Sequence, residues 1–355
     1  MALTKKRQQL RLTGYGASEV GALAGLSKFK KPIDVYTDRI AERVDEPSLA
    51  AELGTLLEEP IAKLHAQQTG LHLVKCDTLR HRLQTFALAI ATPDRLAFEA
   101  KRSTRAHVHT VEECEGAVRN VQIKTASMFS RADWGEDGTD GIPDTYLAQV
   151  QWEMGVTGVP VTDVPVLFDK AEFAVFRVPF NQRLFEALYE LVERFHVNHV
   201  LAKVPPPPDA SDNYKEWLTT TFTAERTTKA INLVQPGSEV DNICNRYRRL
   251  KRLEKLVDEN LKLTSNQVRA AIGDAQGLAG TFGELKWLRK PGTFATDWEA
   301  LARASIDPDE LNTLVNKFQK QRGEYSQLRA TWSDLPDDAP VLLQEINSQS
   351  QGVQS

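Results

Sequence analysis

Asp94, Gln122 and Lys124 are the residues of this chain on which chemistry can be built. Two short apolar segments carry them, one running from Phe86 to Asp94 and one from Val121 to Ser127. Each reads as a buried strand that ends in polar residues. The first delivers Asp94 just past a Thr-Pro turn. The second places Gln122 and Lys124 two apart, so that both side chains leave the same face of a strand. A carboxylate, an oxygen ligand and an ammonium gathered in this way suit metal-assisted phosphodiester hydrolysis.

The elements that must position them are read from periodicity. Pro32 opens a helix through Arg43. Residues 54–68 form an amphipathic helix with Leu57, Ile61 and Leu64 as its core face, and Glu58 lies beside that face. Leu71 to Lys75 is a strand, Phe86 to Ala91 a second, and Leu96 to Glu99 a short third. Residues 100–119 look like an insertion or a long hairpin, and Val121 to Thr125 returns to the sheet. Pro143 starts a helix through about Gly155, on which Tyr146, Gln149 and Glu153 fall on one stripe and Leu147, Val150 and Met154 on another. Val161 to Phe168 and Phe173 to Val178 alternate as an antiparallel pair turning at 169–171. Asn181 caps a helix running to Lys203 whose apolar face is Leu184, Leu188, Leu191, Val192 and Phe195.

Several residues have a bland reading beside the chemical one. Ser18 follows a Gly14–Ala17 turn and reads first as a helix N-cap, although helix N-termini also bind anions. Glu58 reads by pattern as a solvated helix carboxylate, and Gln149 as a polar surface residue. His107, His109 and Cys114 lie in the polar insertion; a zinc site needs four ligands, usually in tighter pairs, so these read as surface residues.

The chain has 355 residues, 41% hydrophobic and 26% charged, which suits a folded chain of one large or two ordinary domains. The net charge of -4 confines any nucleic-acid surface to a local basic patch. No apolar run is long enough to span a bilayer, and the first residues lack the apolar segment of a signal peptide. Three scattered cysteines fit a reduced, cytoplasmic setting.

Pro205–Pro208 marks the expected boundary, with a core at 1–204 and a mainly helical region at 209–340. Residues 341–355 are polar and read as a disordered tail. Asp241 to Leu263 is a long helix, with Ile243, Tyr247, Leu250, Leu253, Val257 and Leu261 as its stripe. Arg248, Arg249 and Arg252 on it form either a solvated face or a strip contacting phosphate. A small hairpin is expected from 281–286 and 287–293, with helices at 298–304 and 308–328.

Taken in order, Arg11 to Glu19, Gly54 to Glu58, Ala91 to Asp94, Gln122 to Lys124 and Tyr146 to Gln149 resemble the YqaJ-type viral recombinase family, which includes phage lambda exonuclease and belongs to the PD-(D/E)XK nuclease superfamily. The resemblance covers roughly residues 8–200 and implies an α/β core, a mixed central sheet flanked by helices. It implies Mg²⁺, replaceable by Mn²⁺, as two ions held by Asp94, Gln122, Glu58 and the carbonyl of Ile123. Lys124 would activate the water, Gln149 would orient it or Lys124, and Arg11, Ser18 and Thr92 would hold a 5′ phosphate. The activity implied is 5′-to-3′ digestion of linear double-stranded DNA with 5′-phosphate ends, leaving a 3′ overhang. The partners implied are a homo-oligomer, with a ring trimer known among relatives, and a single-strand annealing protein, in a phage or prophage setting.

Gln122 departs from the family, which has a carboxylate there. Three accounts compete: activity retained through Glu58 or Glu99, loss of catalysis leaving a DNA-end-binding protein, or an engineered Glu-to-Gln exchange that traps DNA uncut, which the otherwise intact motif favours. A nuclease of different polarity is a further alternative.

Overall fold

A computed structural model describes residues 10–41, 49–99, 107–169, 172–222, 231–281 and 283–287. The chain divides into two compact units, Met1–Thr223 and Ala224–Ser355.

The first unit is α/β, built on a seven-stranded mixed sheet. Its strands are β1 (His72–Cys76), β4 (Arg95–Phe98), β5 (His107–Val108), β6 (Arg119–Val121), β7 (Lys124–Ala126), β8 (Val161–Phe168) and β9 (Glu172–Pro179). A separate short pair joins β2 (Leu79–Arg80) to β3 (Ile90–Ala91). The main sheet runs β5, β1, β4, β6, β8, with β7 and β9 also on β8. β4 is antiparallel to both β1 and β6, whereas β6 and β7 run parallel to β8. Asn120 stands opposite Thr162 and Lys124 opposite Val166, so β6 and β7 are two pieces of one line, interrupted at Gln122 and Ile123.

Helices α1 (Ala17–Leu23), α2 (Pro32–Ala41), α3 (Leu49–Thr69), α4 (Asp144–Thr157), α5 (Gln182–Phe195) and α6 (Asp212–Thr221) complete the unit. β8 shows how the layers form. Its Val164, Val166 and Phe168 pack with Val150 and Met154 of α4, while Leu167 packs with Ile61 and Ala62 of α3. Alternation along the strand therefore feeds a helix on each face of the sheet. Trp152 of α4 is fully buried, and its indole donates to the carbonyls of Tyr15 (3.1 Å) and Ile90 (3.0 Å). Burying a ring of this size contributes upward of about 2 kcal/mol. Gly155 lets α5 close on α4, since a Cβ there would lie 2.2 Å from the Phe185 ring.

The structure redraws several sequence expectations. Gly16, not Ser18, caps α1; Glu19 accepts the Gly16 N–H at 2.9 Å, and Ser18 sits exposed in the first turn. The inward face of α3 is Ile61, Ala62 and His65, whereas Leu57 and Leu64 are exposed. The sheet takes the neighbouring stripe, which includes Glu58, rather than the one the leucines mark. Of Phe86–Ala91 only Ile90 and Ala91 are strand; Gln84–Phe86 is a 3₁₀ turn. α5 ends at Phe195 and continues as a π-helical segment, His196–Leu201. Helix α6 belongs to the first unit although it lies beyond the prolines. Asn213 donates to Asp34 of α2 at 2.7 Å, and the buried Tyr214 donates to the Pro206 carbonyl at 3.0 Å. The proline run is thus an internal strap of that unit.

In the second unit α7 (Glu239–Ile272) is capped by Ser238, whose hydroxyl accepts the Asp241 N–H at 3.2 Å. Leu253 of the expected stripe is buried, whereas Ile243, Leu250, Val257 and Leu261 are exposed. The hairpin pairs β10 (Gly277–Gly280) with β11 (Gly283–Lys286), one strand earlier than expected. Glycines at both ends of β10 made that strand read as loop. The helices expected at 298–304 and 308–328, and the tail, lie outside the described residues.

Candidate active site

The break between β6 and β7 builds the centre of the site. β4 begins at Arg95, opposite Val121, so Asp94 arrives just where the ladder between them ends. Its carboxylate takes over the pairing: the Ile123 N–H, released from the strand, donates to Asp94 Oδ2 at 2.8 Å. Val121 and Ile123 pack toward Ile61 and Ala62 of α3. Alternation then turns Gln122 and Lys124 toward α4.

Lys124 is held there. Its ammonium donates to Gln149 Oε1 at 2.9 Å and lies 4.9 Å from the centre of the Tyr146 ring. Gln149 Nε2 in turn donates to Glu153 Oε1 at 3.0 Å. Gln149 and Glu153 are one helical turn apart, so α4 supplies the whole relay from one stripe. Glu153 is 1% exposed, and its second oxygen is buried without a hydrogen-bond partner. The amide oxygen of Gln122, 5% exposed, is unpartnered as well.

The electrostatics follow from burying charges together. Burial raises the Asp94 pKa above the usual carboxylate range, with Lys124 the chief opposing charge. Burial pushes Glu153 up to about 8, and the Asp94 charge adds to that rise. Burial lowers the Lys124 pKa against the pull of Asp94, Glu153 and Glu58. Glu58 is raised by burial and then by Asp94; its carboxylate lies 3.8 Å from Arg95, which also donates to Glu59 at 2.9 Å. Crowded carboxylates with raised pKa values are what a divalent cation would relieve. The orphaned oxygens of Gln122 and Glu153, with the hard carboxylates of Asp94 and Glu58, are a donor set of the kind Mg²⁺ takes.

Glu153 is the residue that sequence reasoning missed. Its signal was present in the stripe Tyr146, Gln149, Glu153, but a helix carboxylate four residues beyond a Gln reads as solvated until the sheet is in place. Glu99 is exposed at the far end of β4 from Asp94 and takes no part.

The segment that carries Arg11 and Ser18 is joined through Tyr15 to the strand before Thr92. Tyr15 runs beside Ala89 as a parallel bridge, its N–H donating to the Leu88 carbonyl at 2.7 Å. Gly14 permits this approach, because a Cβ would meet Ile90 at 2.5 Å. The bridge brings the Arg11–Ser18 segment to the strand that leads into Thr92 and Asp94. Arg11 and Ser18 are exposed, and the Thr92 hydroxyl pairs with that of Thr78 at 2.9 Å. Arg248, Arg249 and Arg252 are half-buried on α7, in the other unit. Cys114 is buried and therefore not the surface residue expected.

The profile of the YqaJ-like viral recombinase domain matches residues 7–160. Asp94, Gln122, Lys124, Gln149 and Glu153 all fall within the matched span. An uncharacterized protein YqaJ of Bacillus subtilis is 26% identical over 278 residues, spanning 77% of this chain and 79% of the relative. Among solved structures, an alkaline exonuclease from Laribacter hongkongensis superposes with a TM-score of 0.44 at 18% identity, over 61% of this chain and all of the other. A phage-related exonuclease from Haemophilus somnus gives 0.35 at 12% identity, over 60% of this chain and 99% of the other.

Proposed function

We propose that this chain is a YqaJ-type divalent-metal nuclease that digests linear double-stranded DNA from 5′-phosphorylated ends. One observation carries the reading: Asp94 is seated against the gap in the sheet beside Lys124, and Gln149 and Glu153 hold that ammonium in place.

Mg²⁺ held by Asp94, Glu58 and the Gln122 amide would neutralise the scissile phosphate and make a bound water more acidic. The protein's own groups do the rest. Lys124 presents a fixed positive charge where the phosphate gains negative charge in the transition state. Gln149 prevents that ammonium from turning away, and Glu153, protonated by its burial, would supply the negative charge that Gln122 lacks once a divalent cation offsets that burial. Arg11 and Ser18, with Thr92, would receive the terminal 5′ phosphate, and each cut exposes a new one for the same place. The 3′ overhang left behind is the substrate a single-strand annealing protein would take. A ring of copies around the duplex, and duplex contact by Arg248, Arg249 and Arg252, belong to the same proposal.

A second reading draws on Gln122, a neutral amide where the family carries charge: the chain binds DNA ends without cutting them. A time course on end-labelled linear duplex with Mg²⁺ separates the two. Nuclease action predicts loss of 5′ label as mononucleotide, faster on 5′-phosphate than on 5′-hydroxyl ends. Stable retention of both labels, with end binding intact, would establish the scaffold instead.

A further inference from the structure

A second cluster of ligating side chains stands at the β5 edge of the same sheet, with β1 between it and β4. We propose that Asp77, His107 and His109 form a metal site of their own, taking a zinc-class divalent cation through two imidazole nitrogens and a carboxylate.

The backbone assembles it. β5 runs parallel to β1, with Lys75 opposite His107 and Cys76 opposite Val108. The Asp77 N–H donates to the Val108 carbonyl at 2.8 Å, which carries the ladder one residue beyond β1. His107 and His109 are two apart on an extended segment, so their rings leave one face. Asp77 stands between them. His107 Nε2 lies 2.7 Å from Asp77 Oδ1, and His109 Nδ1 lies 2.6 Å from Asp77 Oδ2. The two rings stack with centroids 4.9 Å apart and planes 19° from parallel.

One ligand atom from each of the three residues falls within 4.8 Å of the other two. Zinc bonds to nitrogen and carboxylate oxygen are about 2.0–2.2 Å long, so an ion needs only a small closure of this triangle. Three protein ligands leave a position for water or for a fourth group. Glu113 is close by, its carboxylate accepting the His109 N–H at 2.8 Å. All three residues are partly exposed, which gives an ion a path in.

The chemistry of the donors separates this site from the one at Asp94. Imidazole nitrogen selects Zn²⁺, Co²⁺ and their neighbours, whereas the all-oxygen set of Asp94, Glu58 and Gln122 suits Mg²⁺. The consequence is structural. β5 is a two-residue edge strand, and a metal bridge would fasten it to β1 far more firmly than its few ladder bonds.

The test uses the full chain stripped by chelator and supplied with excess Mg²⁺. Zn²⁺ is titrated by calorimetry, and Co²⁺ by its visible absorption. The expected result is one equivalent of Zn²⁺ that survives desalting, and a Co²⁺ band of imidazole character. His107→Ala/His109→Ala should lose both, with affinity at least tenfold weaker, while Asp94→Asn keeps them. His109→Gln, at a half-exposed ring, should weaken Co²⁺ binding with the circular dichroism unchanged. Absence of the Zn²⁺ equivalent, its persistence in the double histidine variant, or its loss in Asp94→Asn would overturn the proposal, leaving a carboxylate hydrogen-bonded between two histidines. Nuclease activity enters none of these readouts, so the outcome is independent of the proposed function.

Discussion

Glu153 changes what Gln122 means. A neutral amide at the strand position removes a charge from the site, and a carboxylate on α4, pushed up to about 8 by burial, would return one near Asp94 and Lys124 when a divalent cation offsets that burial. If the charge has moved from strand to helix, Glu153→Gln should reduce Mg²⁺-dependent cleavage by about a hundredfold, the scale of one electrostatic contact to the reacting centre. Adding Gln122→Glu to that variant should restore much of the rate, because the carboxylate is then supplied from the other side of Asp94. Steady-state rates on linear duplex check both. Gln122→Glu alone should also raise cleavage. Lys124→Ala should cost roughly a hundred- to a thousandfold in turnover with DNA-end affinity little changed, since its charge acts where transition-state charge develops.

At the scale of elements, β8 anchors the side of the sheet on which the site forms. Asp163 on β8 is fully buried, bonded by His65 of α3 at 3.1 Å and by Arg177 of β9 at 2.8 Å. Burial works to raise its pKa, but the hydrogen bonds from His65 and Arg177 outweigh that and hold it below the usual carboxylate range. A depressed folded-state pKa means stability that is complete above the unfolded value, about 3.9, and lost as pH falls through the lower folded value. Thermal unfolding followed from pH 7 toward pH 3 should show that loss, and Asp163→Asn should flatten this part of the profile. His65→Ala leaves a buried carboxylate short of one partner and should cost about 3 kcal/mol in denaturant melts.

At the scale of the molecule, helix α6 sets where the first unit ends. A fragment of residues 1–223 should unfold cooperatively, whereas 1–204 should lose several degrees of melting temperature because Tyr214 and the Asn213–Asp34 bond go with the helix. Calorimetry on the two fragments decides this. α3 also exposes Leu53, Leu56, Leu57 and Leu64, with Leu56 71% exposed. Among the described residues nothing covers that face, and light scattering of the chain with Leu56→Asp and Leu57→Asp replacements would show whether self-association uses it. The described residues hold no helix long and apolar enough to cross a membrane.

The sequence by itself determined the order of motifs, the α/β character of the core and the candidates Asp94, Gln122 and Lys124, because strand alternation and a Thr-Pro turn are local signals. The cap at Gly16, the inward face of α3 and the Asp77 cluster were decided only in three dimensions. Leucine spacing on α3 pointed to a stripe that is exposed, and which stripe is inward exists only once a sheet is there to bury it. Glu153 and Asp77 look like ordinary solvated carboxylates along the chain. Each acquires its chemistry from a residue far away in sequence: strand register brings Asp77 to His107, and the packing of α4 on the sheet brings Glu153 to Asp94.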